Sequence, residues 1–191
     1  MSSATLTALQ AVSITSSLMV AGGIATMSLF DIPMLQAQPA SRSLPSIRWL
    51  FSRGSHIMPT AAFAAGTGFT RGYLVAALCN FAIGPVTSLM LPTNMALIKQ
   101  NEEQGGSRSA QAAKDGRYKP GQRSAADSIA GKGEGRQFTD LSGPQEKTPL
   151  GSSKAEEEEV RGLLGKFAKL NAVRAACCMV GGVIGLFTAL A

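Results

Sequence analysis

The residues of this chain that could do chemistry are strongly polar side chains set inside long apolar runs: Asp31, His56, Asn94, and the pair Asn171 and Arg174. An Arg or Asp at the centre of a membrane-spanning helix costs about 2.5–3.5 kcal/mol on insertion, so such a residue is retained for a partner or a ligand. His56 is the single histidine. It leaves no multi-histidine metal site, and its ordinary pKa of ~6.5 suits either a proton acceptor or a structurally held side chain. Arg174, about a turn inside its run, can pair with Asp31 or bind an anionic group. Asn80 and Thr87 read first as hydrogen-bonding contacts between helices.

Four elements must position these groups. Apolar residues make up 45% of the 191 residues, but the charges are segregated and the remainder reads as long uncharged runs. A spanning helix needs about 20 mainly apolar residues. Runs near 9–35, 47–69, 73–98 and 172–191 meet that length, which predicts an all-α, four-helix transmembrane bundle. The first run lacks a basic leading region and is longer than a signal-peptide core, so it reads as a spanning helix. Pro59, Pro85 and Pro92 are tolerated in such a bundle as kinks.

The segment 99–154 is rich in Gly, Ser, Gln and charge, with almost no large apolar residue, which predicts a disordered polar loop. The organisation expected is therefore helices within 1–98, a loop over 99–154, and an amphipathic lead-in with the last helix over 155–191. Ser153 with Glu156 forms a capping-box pattern that starts that lead-in. Gly181 and Gly185 give a small-residue face for close helix packing.

The formal charge of +6 comes without any nucleic-acid-binding motif, so no nucleic-acid partner is expected. The basic residues flank the apolar runs mostly on one side, which by the positive-inside rule places the long loop in the cytosol and both termini in the lumen. The endoplasmic reticulum is the default membrane. Cys79, Cys177 and Cys178 form no CxxC and read as packing residues.

Alternating helices would bring Asp31, His56, Asn94, Asn171 and Arg174 to the cytosolic half, a single shared depth. At about 100° per residue, Trp49 and His56 share a face, as do Asn80, Thr87 and Asn94, and Asn171, Arg174 and Cys178.

The order Arg48-Trp49, Gly54, His56-x-x-Pro59, then Leu91-Pro92-Thr93-Asn94-x-x-Leu97, and finally Leu170-Asn171-Ala172-Val173-Arg174 resembles a broad family of small four-helix membrane proteins. Its fungal members include the anthrone oxygenases of polyketide pathways. The resemblance implies oxidation of a polyketide-derived anthrone to the anthraquinone, with molecular oxygen as co-substrate and no metal or organic cofactor. For that chemistry, depth and helix face assign His56 as the base that removes a proton from the anthrone methylene. Arg174 and Asn171 would stabilise the oxyanion formed at the carbonyl. Asn94 would hydrogen-bond the substrate's phenols, Trp49 would stack on the flat rings, Thr87 is a further substrate-binding candidate, and Asp31 would hold Arg174 or orient His56. The partners expected are a small aromatic substrate and the lipid bilayer. The alternative is a non-catalytic four-helix membrane protein that binds a partner or a hydrophobic metabolite.

Overall fold

The computed structural model describes residues 3–64, 71–116, 118–135, 137 and 139–190, with the side chains of 3, 55–64, 71 and 72 excepted. The regular secondary structure of the described residues is all helical, with no strand among them. Helix α1 covers Ser3–Thr26, a π-helical turn Met27–Asp31, α2 Ile32–Gln36, α3 Ala40–Ala64, α4 Arg71–Phe81, α5 Ile83–Glu103, α6 Ala110–Asp115, α7 Ala125–Ile129 and α8 Lys154–Leu190. The π turn lies just ahead of Pro33, one of the first two residues of α2. A proline ring clashes with the carbonyl four residues earlier and offers no N–H, so a widened turn lets the chain pass it without a break.

Three helical stretches, Ala4–Gln36, Tyr73–Glu103 and Lys154–Leu190, are long and apolar enough to cross a membrane. Only 22–28% of their apolar windows is buried inside the structure. Met19, Phe81, Phe187 and Leu190 are among the large apolar side chains left exposed. In water that surface would be unfavourable; in lipid it is the expected outer face. The run expected at 47–69 lies on α3 as far as Ala64, and 65–69 fall outside the described residues. α3 is not among the three apolar stretches.

The chain divides into two compact units. The first comprises residues 1–30, 56–90 and 168–191. Its core contains Ala21, Ile24, Ala175 and Cys178, flanked by Val20, Ala25 and Ile83. Small residues set the helix spacing here, as expected for Gly181 and Gly185. A Cβ on Gly181 would lie 2.9 Å from the Ala76 carbonyl oxygen, and one on Gly185 would sit 3.3 Å from Ile14. Close approach also lets polar side chains bridge helices. Ser17 Oγ donates 3.0 Å to Asn80 Oδ1 and lies 2.8 Å from the Cys178 carbonyl oxygen. Asn80 thus has its expected interhelical role. Thr87 does not, because its hydroxyl donates 2.7 Å to the Ile83 carbonyl of its own helix.

The second unit comprises residues 31–55 and 91–167. Its apolar core includes Ile32, Leu44, Ile47, Leu97, Val160 and Leu164, with the Phe51 and Phe167 rings tilted at 5.2 Å between centroids. α8 begins with the expected capping box: the Ser153 N–H donates 2.7 Å to Glu156, and the Glu156 N–H donates 3.3 Å to Ser153 Oγ.

The segment 99–154 departs from the disorder expected of it. α5 extends through Glu103, two capped short helices follow, and the chain folds over a buried polar cluster. Arg123 donates 2.8 Å to each oxygen of Glu102 and 2.8 Å to Glu134. Ser128 Oγ donates 2.5 Å to Glu102 and accepts from Arg48 Nε at 3.2 Å. Arg108 Nε lies 3.2 Å from Glu134 Oε2 without the alignment of a hydrogen bond. Desolvation opposes the charge on Arg123, but its bonds to Glu102 and Glu134 outweigh that and hold it above its ordinary pKa. Composition missed this order because it counts apolar surface, whereas here the interior is filled by charges that satisfy one another.

Candidate functional site

The sequence-predicted residues divide between the two units. Thr87, Asn171, Arg174 and the backbone of His56 belong to the first, and Asp31, Trp49 and Asn94 to the second. The His56 side chain lies outside the described residues.

In the first unit, α8 carries Asn171 and Arg174 one turn apart, so their side chains share a face. Asn171 is buried and Arg174 is half-buried. Arg174 Nη1 donates 3.0 Å to Asn171 Oδ1 and reaches Met90 Sδ at 3.8 Å. Asn171 Nδ2 in turn donates to Met27 Sδ at 3.4 Å. Arg174 Nε is buried with no partner. Among the described residues no carboxylate pairs with this guanidinium. The site therefore presents an amide locked by the cation beside it, and donors whose remaining acceptors are two weak thioether sulfurs. Chemically, it can receive an oxyanion or a carbonyl oxygen.

In the second unit the other candidates are differently placed. Trp49 is half-buried and donates from its indole N–H to the Ser142 carbonyl at 3.0 Å. The Arg53 guanidinium lies 5.5 Å from the Trp49 ring centroid. Trp49 thus ties α3 to the polar segment, and one of its faces already carries a cation. Asp140 sits at the same junction and accepts from the Ser109 hydroxyl and from the Ser142 hydroxyl and N–H. Burial works against the Asp140 charge, but those bonds hold its carboxyl below the usual aspartate range. Asp31 is half-buried at the end of the π turn, and its side chain makes no capping bond to α2. Asn94 Oδ1 is buried without a partner, as is the Thr93 hydroxyl beside it.

Sequence reasoning missed Met27, Met90, Glu102, Ser128 and Arg123. A methionine in an apolar run looks like packing, so nothing marked the two sulfurs. The charged set had a signal: Arg and Glu recur through a segment with too few apolar residues to fold on its own, which admits pairing as well as solvation. No family model, curated protein or solved structure matches the chain.

Proposed function

We propose that this chain is a membrane-embedded anthrone oxygenase. The observation that carries the reading is the pair of buried Asn171 and half-buried Arg174, hydrogen-bond donors with no carboxylate partner among the described residues, on a helix long and apolar enough to cross a membrane. The resemblance described above supplies the substrate class.

The methylene of an anthrone is acidified by the opposite carbonyl, so a modest base suffices to form the anthrolate. In this reading His56 takes that proton, and Arg174 with Asn171 receives the negative charge at the carbonyl oxygen. The anthrolate passes one electron to dioxygen, and the resulting radical and superoxide combine to a peroxide on the same carbon. Return of the proton from His56 gives the hydroperoxide. Loss of its hydroxyl with the remaining C–H proton then gives the quinone and one water, which balances one anthrone and one dioxygen. Trp49 and Thr87, already engaged, receive no substrate contact in this proposal.

The topology proposed with it adds a fourth crossing, at 47–69, to the three apolar stretches. The polar segment then lies in the cytosol and both termini in the lumen of the endoplasmic reticulum. The test is anthraquinone formation from a supplied anthrone by microsomes at matched expression. His56→Ala and Arg174→Ala should each lower the rate above spontaneous oxidation by about 10²-fold or more. Wild-type activity in both variants would eliminate this function.

A further inference from the structure

The first unit contains an arrangement that the oxidation does not require. One donor from each side chain of the Asn171 and Arg174 pair rests on sulfur: Met27 Sδ is 3.4 Å from Asn171 Nδ2, and Met90 Sδ is 3.8 Å from Arg174 Nη1. Met90 is fully buried and lies at the end of its unit's share of α5, while Met27 opens the π turn that follows α1. The two sulfurs therefore reach one site from two different helical segments.

A thioether suits this position for reasons of strength and flexibility. Leucine or isoleucine would offer these donors no acceptor, leaving Asn171 Nδ2 unpaired and Arg174 Nη1 with Asn171 Oδ1 alone. Aspartate or glutamate would pair with Arg174 and occupy the site permanently. Methionine is a weak acceptor on an unbranched, easily rearranged chain, so it relieves the donors in part and can leave at little cost. An oxygen acceptor is the better partner in the same apolar surroundings.

We propose that Met27 and Met90 are displaceable caps that hold the Asn171 and Arg174 donors until a carbonyl or phenolate oxygen on an apolar ligand replaces the sulfurs. This rests on the reading of that pair as the substrate's oxygen site. It makes the two methionines positioning residues that set how tightly an oxygen acceptor is held. A stronger internal acceptor would compete with the ligand, and an apolar residue would not.

The test measures binding, not turnover. Alizarin, a hydroxylated anthraquinone whose visible absorbance shifts when its phenol ionises, is titrated into the full chain in lipid nanodiscs. Met90→Gln places an amide oxygen against Arg174 and should weaken binding by about tenfold, equivalent to ~1.4 kcal/mol. Met90→Leu should bind as tightly as wild type or up to about threefold more tightly, because a donor that has lost an acceptor gains more from the ligand. Melting temperatures of the three proteins check that the fold is intact. Three results overturn the proposal: no alizarin binding by wild type, Met90→Gln binding as well as wild type, or Met90→Leu weakened as much as Met90→Gln. Wild-type anthrone oxidation without the affinity order removes the caps alone. The affinity order without anthrone oxidation supports the caps and removes the oxygenase reading.

Discussion

Removing the charge of Glu102 while keeping its shape should release the polar segment from the rest of the second unit. Glu102 is 5% exposed and accepts two bonds of 2.8 Å from Arg123 and one of 2.5 Å from Ser128. The cluster around it holds three arginines, Arg48, Arg108 and Arg123, against two glutamates, Glu102 and Glu134, all with side chains close to fully buried. Glu102→Gln leaves a single carboxylate facing three guanidinium groups. Removing one partner of a buried pair costs about 3–5 kcal/mol, much of it the penalty on the charge left behind. Gln keeps one acceptor oxygen for Arg123, so the lower end of that range, about 3 kcal/mol, is expected.

Hydrogen exchange followed by mass spectrometry in nanodiscs reads this locally. Protection over residues 104–148 should fall by about 10²-fold or vanish, while the apolar half of α8 keeps its own. Adding Arg123→Met to Glu102→Gln should restore part of the protection, because the stranded charge, rather than the lost bonds, dominates the cost. Protection within about threefold of wild type in the single variant, or a double variant worse than the sum of its parts, would refute the ion-pair account of this segment.

Acid should loosen the junction beneath Trp49. The folded pKa of Asp140 lies below its ordinary 3.8, so its stabilising contribution is fully present above that value and is lost as pH falls through the folded one. Trp49 fluorescence should therefore change on acidification below ~4 in wild type, and Asp140→Asn should already show the altered emission at neutral pH. An identical acid profile in the two proteins would contradict this. Arg174→Leu should raise thermal stability in detergent, by about 1 kcal/mol or more, because it removes a half-buried cation whose buried Nε has no partner. A lower melting temperature would mean that Arg174 is needed to hold the fold.

The apolar helices were legible because their evidence is run length, which survives any packing arrangement: Leu9, Met19 and Leu29 needed only to be apolar. The α8 start was legible because Ser153 and Glu156 bond within one turn, so the pattern is local. Arg174 and Asn171 were likewise placed together by helical spacing alone. What escaped depends on contacts distant in the chain. Arg48 meets Ser128 across 80 residues, and Trp49 meets Ser142 across 93. No periodicity links such partners. A segment whose order comes from ion pairs has the same composition as one whose charges stay in water.

The two units bury arginine in opposite ways, and the contrast bears on function. In the second, Arg123 faces Glu102 and Glu134, Arg108 faces Glu134, and Arg48 is tied through the Ser128 hydroxyl to Glu102. Each cation there has an internal answer, so the cluster closes on itself and needs no ligand. In the first, Arg174 holds an amide at 3.0 Å and a sulfur at 3.8 Å and leaves its Nε unmatched. Folding alone would favour an apolar residue at that position. A guanidinium kept there without a counter-charge among the described residues is instead suited to bind negative charge that arrives from outside the fold, which the oxyanion of the proposed oxidation would supply.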